Sequence, residues 1–482
     1  KVGVFVNPQP RCDCRRPGNL APEAQTIYDF WPQGLYQTSW TAPVTSRLLL
    51  EAGFSFTQSY YTNPRQPDVT ADDISIVEQS TGLRYNAANT LRTFTTSHRI
   101  AQRFAVSYIT GSHAFKTGIY QQEGIQDSEP YLNQAISYTF NNGVPIQITQ
   151  DAGPYMTRNR IKSDLGIFAQ DQWAIKRLTL NYGLRFEYFN SYVKAQHVPA
   201  TRFLPVRDFA PVYKVPEWKD LDPRLGAAYD VFGNGRTAVK ASLGRYVGVS
   251  ATEIATANNP ILTSVNTVNR TWNDVNRNYI PDCDLTNLAS NGECLAISNQ
   301  NFGKNNPSAT VWADDVLHGF GVRDYFWDVG AEVQQQLGAG LSMNAGYYRN
   351  WAGNFRATDN LAVTQADYSP YCITAPVDPR LPRGGGYQVC GLYDINQNKF
   401  GQVQNVVTQA SHYGKQINAN NFVNERAARL RRPVHRRHRH RAYRQRRVLR
   451  RRFSWCRGLR QPFCTQHPWR LDHPGPAHRH DD

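Results

Sequence analysis

From residue 178 every second position is large and apolar. Leu178, Leu180, Tyr182, Leu184, Phe186 and Tyr188 fall on one face, and Thr179, Asn181, Gly183, Arg185 and Glu187 on the other. A period of two is the repeat of a β-strand, whose side chains alternate across the sheet; wound on a helix it would scatter the apolar residues around the axis. The pattern recurs along the chain. Leu165, Ile167, Ala169 and Trp173 run ahead of a short link at Lys176-Arg177. Leu225, Ala227, Tyr229 and Val231 lead through Gly233-Asn234-Gly235 to Val239, Ala241 and Leu243. Trp327, Val329, Ala331, Val333 and Leu337 lead through Gly338-Ala339-Gly340 to Leu341, Met343, Ala345 and Tyr347. Ile136, Tyr138 and Phe140 precede Asn141-Asn142-Gly143, then Val144, Ile146 and Ile148; Leu48 to Phe56 and Phe104 to Tyr108 alternate as well. Gly and Asn supply the positive φ that tight hairpin turns need. The sum is about a dozen strands and no long amphipathic helix.

Mean hydropathy is −0.57 and no long apolar run is present, which excludes a membrane-spanning helix. It leaves a membrane-spanning strand open, because such a strand needs only about 9–11 residues with alternate ones apolar. The 26 Tyr, 22 Phe and 10 Trp would supply interfacial girdles. Several turns are short, whereas 190–219 and 247–324 are long, polar and rich in Asn and Pro. Arg185, Glu187, Asp230, Lys240, Glu332 and Gln334 on the opposed face suit a wet lumen. We therefore expect an all-β protein: an antiparallel transmembrane β-barrel, incomplete, over 1–424, with short turns on one rim, long loops on the other and outer-membrane lipid around it. A secreted or surface β-sandwich binding protein is the alternative.

The formal net charge of +16 is local. Residues 425–482 hold eighteen Arg, no Lys and four acidic residues; the rest of the chain is nearly neutral. An Arg-rich arm gripping nucleic-acid phosphate is one reading of this tail, and a disordered tail another. The third, preferred here, is a GC-rich gene translated out of frame: Arg, Pro, His and Ala have GC-rich codons, and the alternation stops near Asn424. No nucleic-acid partner is expected. Cys456 and Cys464 with His467 and His473 match no zinc spacing. No signal peptide precedes the first strand, so the start is expected to be processed or lost.

Enzyme signatures are absent: there is no Walker loop, no G-x-S-x-G and no HExxH. Gly384-Gly-Gly386 reads as a flexible turn, and His98, His113, His197, His318 and His412 are scattered. The other cysteines form local pairs. Cys283 with Cys294 and Cys372 with Cys390 lie in long loops, where disulfides fit an oxidising exterior; Cys12 and Cys14 are too close in sequence to bridge comfortably. Asp274, Asn276, Asn278, Asp282 and Asp284 place oxygens at alternate positions, as at the start of a calcium loop. Tyr279 stands where such loops carry Gly, and no closing Glu follows, so an Asn/Asp turn pinned by the Cys283–Cys294 bridge is the competing reading. No other cofactor is expected.

Ser163-Asp-Leu-Gly-Ile-Phe-Ala-Gln-Asp-Gln-Trp173, followed by Leu178-Thr-Leu-Asn-Tyr-Gly-Leu-Arg-Phe-Glu-Tyr188, resembles the barrel hairpin of TonB-dependent receptors. Asp222-Pro-Arg-Leu-Gly-Ala-Ala-Tyr229, Lys240-Ala-Ser-Leu-Gly-Arg-Tyr246 and 325–351 continue the likeness, which spans roughly 20–420. It is nearest to the large receptors of Acidobacteria-like bacteria that carry an N-terminal carboxypeptidase-regulatory-like domain. The resemblance implies a plugged barrel of about 22 strands, importing an unidentified bulky nutrient, a small molecule or an oligosaccharide-like ligand, with energy relayed by a TonB complex. The chain departs from that pattern in lacking a plug and the terminal strands, so a fragment of such a receptor is expected.

Overall fold

Twelve strands, all but the first long enough to cross a bilayer, form the body of the chain in a computed structural model. It describes residues 1–9, 12–15, 18–338, 340–414 and 418–429, the last of these and 12–14 by backbone alone. The strands are β1 (Val2–Pro8), β2 (Gln33–Pro43), β3 (Leu48–Asn63), β4 (Leu91–Thr110), β5 (His113–Tyr131), β6 (Thr157–Ile175), β7 (Leu178–Val193), β8 (Glu217–Asp230), β9 (Thr237–Val247), β10 (Tyr325–Gly338), β11 (Leu341–Gly353) and β12 (Asn418–Arg429). Each pairs antiparallel with the one before and the one after it, so the sheet is a meander from β1 to β12. Among the described residues those two strands are its edges, and they do not pair with each other. β12 pairs with β11 as far as Arg429, past Asn424, and the remainder of the Arg-rich tail lies outside the described residues.

Connection lengths alternate without exception. Tight turns join Pro43 to Leu48, Thr110 to His113, Ile175 to Leu178, Asp230 to Thr237 and Gly338 to Leu341. Long segments join Pro8 to Gln33, Asn63 to Leu91, Tyr131 to Thr157, Val193 to Glu217, Val247 to Tyr325 and Gly353 to Asn418. In an antiparallel meander this puts every tight turn on one rim and every long segment on the other. The tight turns have local causes. Asp230 accepts from the backbone N–H of Gly233 at 2.9 Å and of Gly235 at 2.8 Å, and both glycines have positive φ, near 70°.

The long segments fold together. A five-stranded sheet is assembled from three of them, in the order Thr267–Thr271, Val144–Asp151, Ile136–Asn141, Ser75–Glu78, Leu83–Tyr85. The Asn141–Gly143 hairpin expected in the barrel wall belongs here instead. Its edge partners, Ser75–Glu78 and Thr267–Thr271, lie far away in sequence, and alternation alone does not say which sheet a strand joins.

The position of the buried apolar residues distinguishes this wall from a sandwich. All three apolar cores lie toward the long-segment rim or within it. The first joins Ile161, Phe189 and Trp218 to Ile254, Val316 and Leu317, with the Trp218 indole N–H donating to the Val316 carbonyl at 2.9 Å. Down the strands the large apolar side chains are uncovered: Phe104, Ile119, Ile167, Leu184, Leu225 and Val333 are each 41–49 % exposed. Ile119 stands directly opposite both Phe104 and Ile167, so these residues form a continuous row. No second sheet packs on them among the described residues, and the β-sandwich alternative does not hold. An apolar band of this extent facing outward is stable only where the solvent is itself apolar.

Candidate functional site

The opposite face of the wall carries the chemistry. Because side chains alternate, the residues between those of the apolar row point to the other side, where charged and amide-bearing groups stand among glycines and a few aromatic rings. Lys116 reaches Glu51 on β3 at 2.6 Å. Arg185 pairs with Glu187 two residues along β7. Lys240 of β9 meets Glu332 of β10 at 3.3 Å, and Glu332 also accepts from the Tyr348 hydroxyl of β11 at 2.8 Å. A hollow of about 640 Å³ lies along β1 to β5, with Arg99, Arg103, Tyr120 and Gln122 in its lining.

Large side chains lie flat on this face where the sheet leaves room. Tyr348 lies against Gly330 and Gly346; a Cβ on either glycine would sit about 3 Å from its ring. Arg185 crosses Gly166 so closely that a Cβ there would be 1.8 Å from its guanidinium. All three are close-approach glycines, leaving space for a neighbour rather than for a turn.

Where the wall meets the long-segment layer, Arg245 donates to Asp222 at 2.7 Å and to Asp220 at 3.0 Å, and both carboxylates are buried. Arg323, also buried, stacks over Phe189 and Trp218. The sequence motifs contain Asp222 and Arg245 without pairing them; the available signal was two Asp at i and i+2, hence on one face of a strand. Asp171 lies on the apolar face of β6, where its carboxylate is held by the His113 ring at 2.6 Å and the Tyr182 hydroxyl at 2.8 Å.

The loop candidates sit in the long-segment layer. Cys283 and Cys294 are joined, as are Cys372 and Cys390, with Cα–Cα distances of 5.9 and 4.2 Å. Cys294 is buried beside Trp272 and Leu285 in one of the apolar cores. Arg270, fully buried, donates to the carbonyls of Leu295, Asn287 and Ala289 at 2.8–3.0 Å and ties the bridged loop to the five-stranded sheet. The side chains of Cys12 and Cys14, and Cys456, Cys464, His467 and His473, lie outside the described residues.

Asp274, Asn276, Asn278, Asp282 and Asp284 stand in one exposed turn, linked by hydrogen bonds of their own. Asp274 accepts from the backbone N–H of Asn278 and Tyr279, Asn276 and Asn278 turn amide N–H groups toward Asp282 at 2.7 and 3.0 Å, and Asp284 caps Thr286. The Thr286 hydroxyl and N–H hold the Asp284 carboxyl below its usual range. Among the described residues no group of three His, Cys, Asp or Glu is placed to hold a metal ion. Elsewhere in the layer, burial pushes the Tyr155 hydroxyl up to about 12 and raises Asp151 beside it.

An unclosed meander of long strands, apolar outside and ion-paired within, short-turned at one rim and heavily looped at the other, is the wall of a membrane-spanning β-barrel. The chain belongs to the outer membrane beta barrel domain family, whose profile it matches over residues 14–420, and its place is the outer membrane. Among solved structures it is similar to the outer membrane transporter YddB from Escherichia coli, at 12% identity and a TM-score of 0.43, covering 75% of this chain and 39% of that one. It is also similar to the ferric yersiniabactin uptake receptor FyuA from Yersinia pestis, at 8% identity and 0.36, covering 69% and 37%. The chain thus spans about two fifths of the length of these structures. No curated protein sequence matches it.

Proposed function

We propose that this chain is part of the wall of a TonB-dependent outer-membrane receptor whose intact form imports a bulky, polar nutrient. The observation that carries the reading is the pairing of a polar inner face with a folded long-segment layer at one rim. Arg99, Arg103 and Tyr120 offer donors to a hydrated solute, and three interlocked loops stand where such a solute would enter. The hairpin motifs around Phe168 and Phe186 support assignment to this receptor class. The nutrient is set by loop side chains.

Deletion of the gene in its host tests the proposal. We expect loss of growth on one limiting large nutrient, and loss of the same uptake in undeleted cells treated with a protonophore, because import would draw on the energised inner membrane. Uptake that survives the protonophore but not the deletion would leave a passive pore and remove the TonB assignment.

A further inference from the structure

The tight-turn rim has a lopsided charge. Arg47, Lys176, Arg177 and Arg236 sit in three of its five turns, all exposed. The carboxylates at that end of the wall are committed elsewhere: Asp230 to the Gly233 and Gly235 N–H groups, Asp171 to His113 and Tyr182, Glu51 to Lys116 and Glu332 to Lys240. Lys176-Arg177 and the Gly233 turn adjoin one another, since Leu178 is paired with Tyr229, and Arg177 lies across the neighbouring turn with its guanidinium 3.5 Å from the Val231 carbonyl. Immediately inside these cations, on the outward face, stand exposed aromatic rings: Trp40, Tyr108, Trp173, Tyr229 and, in a turn, Phe232. Amphipathic rings mark the level where hydrocarbon gives way to headgroups. The four cations therefore lie at the depth of the lipid phosphates.

We infer that the tight-turn rim is a cationic collar that binds anionic phospholipid headgroups by their phosphates. Charge complementarity selects the occupant: the collar presents point charges and a guanidinium fork to a plane of phosphates, with no Asp or Glu in turns 44–47, 111–112, 176–177 and 231–236 and the Asp230 carboxylate at the edge of one turned onto backbone N–H groups. The inference rests on the membrane-spanning wall and is independent of what the receptor imports.

Hydrogen exchange of the full chain in bilayer discs tests it. In discs containing phosphatidylglycerol, amides in the turns at Arg47, at Lys176-Arg177 and at 231–236 should exchange about tenfold more slowly than in phosphatidylcholine discs. The Arg47→Gln/Lys176→Gln/Arg177→Gln/Arg236→Gln variant should lose that difference, and a variant with the three Arg replaced by Lys should keep it. All variants carry the same 425–482 segment, so its arginines contribute equally. Glycerol phosphate added to phosphatidylcholine discs should give no protection. Equal exchange in both kinds of disc, protection persisting in the Gln variant, or protection by the free phosphate would each overturn the collar.

Discussion

Arg245 stands between Asp220 and Asp222 with almost no solvent around them, so its charge offsets two carboxylates that water cannot. Replacing it with Met would leave two buried like charges and should destabilise the wall by about 3–5 kcal/mol, read from urea unfolding in bilayers. Adding Asp220→Asn and Asp222→Asn to the same chain should recover most of that loss; if it does not, Arg245 acts through packing on Tyr325 instead. Glu78 gives a pH dependence. The Ser80 hydroxyl, then the Gly143 N–H, hold its carboxyl down to about 2. The folded value lies below the unfolded one, so its contribution is full above about pH 4.5 and fades as pH falls toward about 2. Melting of wild type and Glu78→Gln should differ at pH 6 and converge near pH 2. For the turn at 274–284, whose oxygens already accept internal hydrogen bonds, we expect calcium to leave amide exchange unchanged; slowing by calcium that Asp282→Ala abolishes would place an ion there.

At the scale of the element, the two faces of a strand predict opposite tolerances. Ile119→Lys on β5 or Leu184→Lys on β7 puts a charge in the apolar band and should cost about 2–4 kcal/mol, whereas Gln170→Lys on the inner face of β6 should cost little. Similar costs on both faces would contradict the assignment of inside and outside. These faces were legible from the sequence because period two maps directly onto sidedness. What a strand pairs with was less legible. The 136–151 hairpin shows the same alternation as a stave, yet it joins 75–78 and 267–271 in the loop layer, a choice made by long-range contacts among Ile136, Phe140, Ile148 and Trp272. Trp272→Ala should accordingly loosen the loop sheet, about 3–5 kcal/mol by local exchange, and leave the wall intact.

For the whole molecule, an outward apolar band with no protein cover predicts that extraction needs detergent and that the chain aggregates when detergent is diluted away. The tail carries a separate proposal. If 425–482 arises from a shifted frame, the source DNA read in another frame after Asn424 should resume alternating strands ending in an aromatic residue; a second frame without alternation would count the tail as genuine. Alternation, turn residues and the run of connection lengths determined, from the sequence alone, an antiparallel wall with one short-turned and one looped rim, because strand sidedness and turn φ are local properties. The burial of Arg245 against Asp220 and Asp222, the reach of Arg270 to three carbonyls, the polar node at Asp171 and the interlocking of three loops into one sheet were decided only in the tertiary structure. Each depends on which distant segments come together, and no period in a chain encodes that.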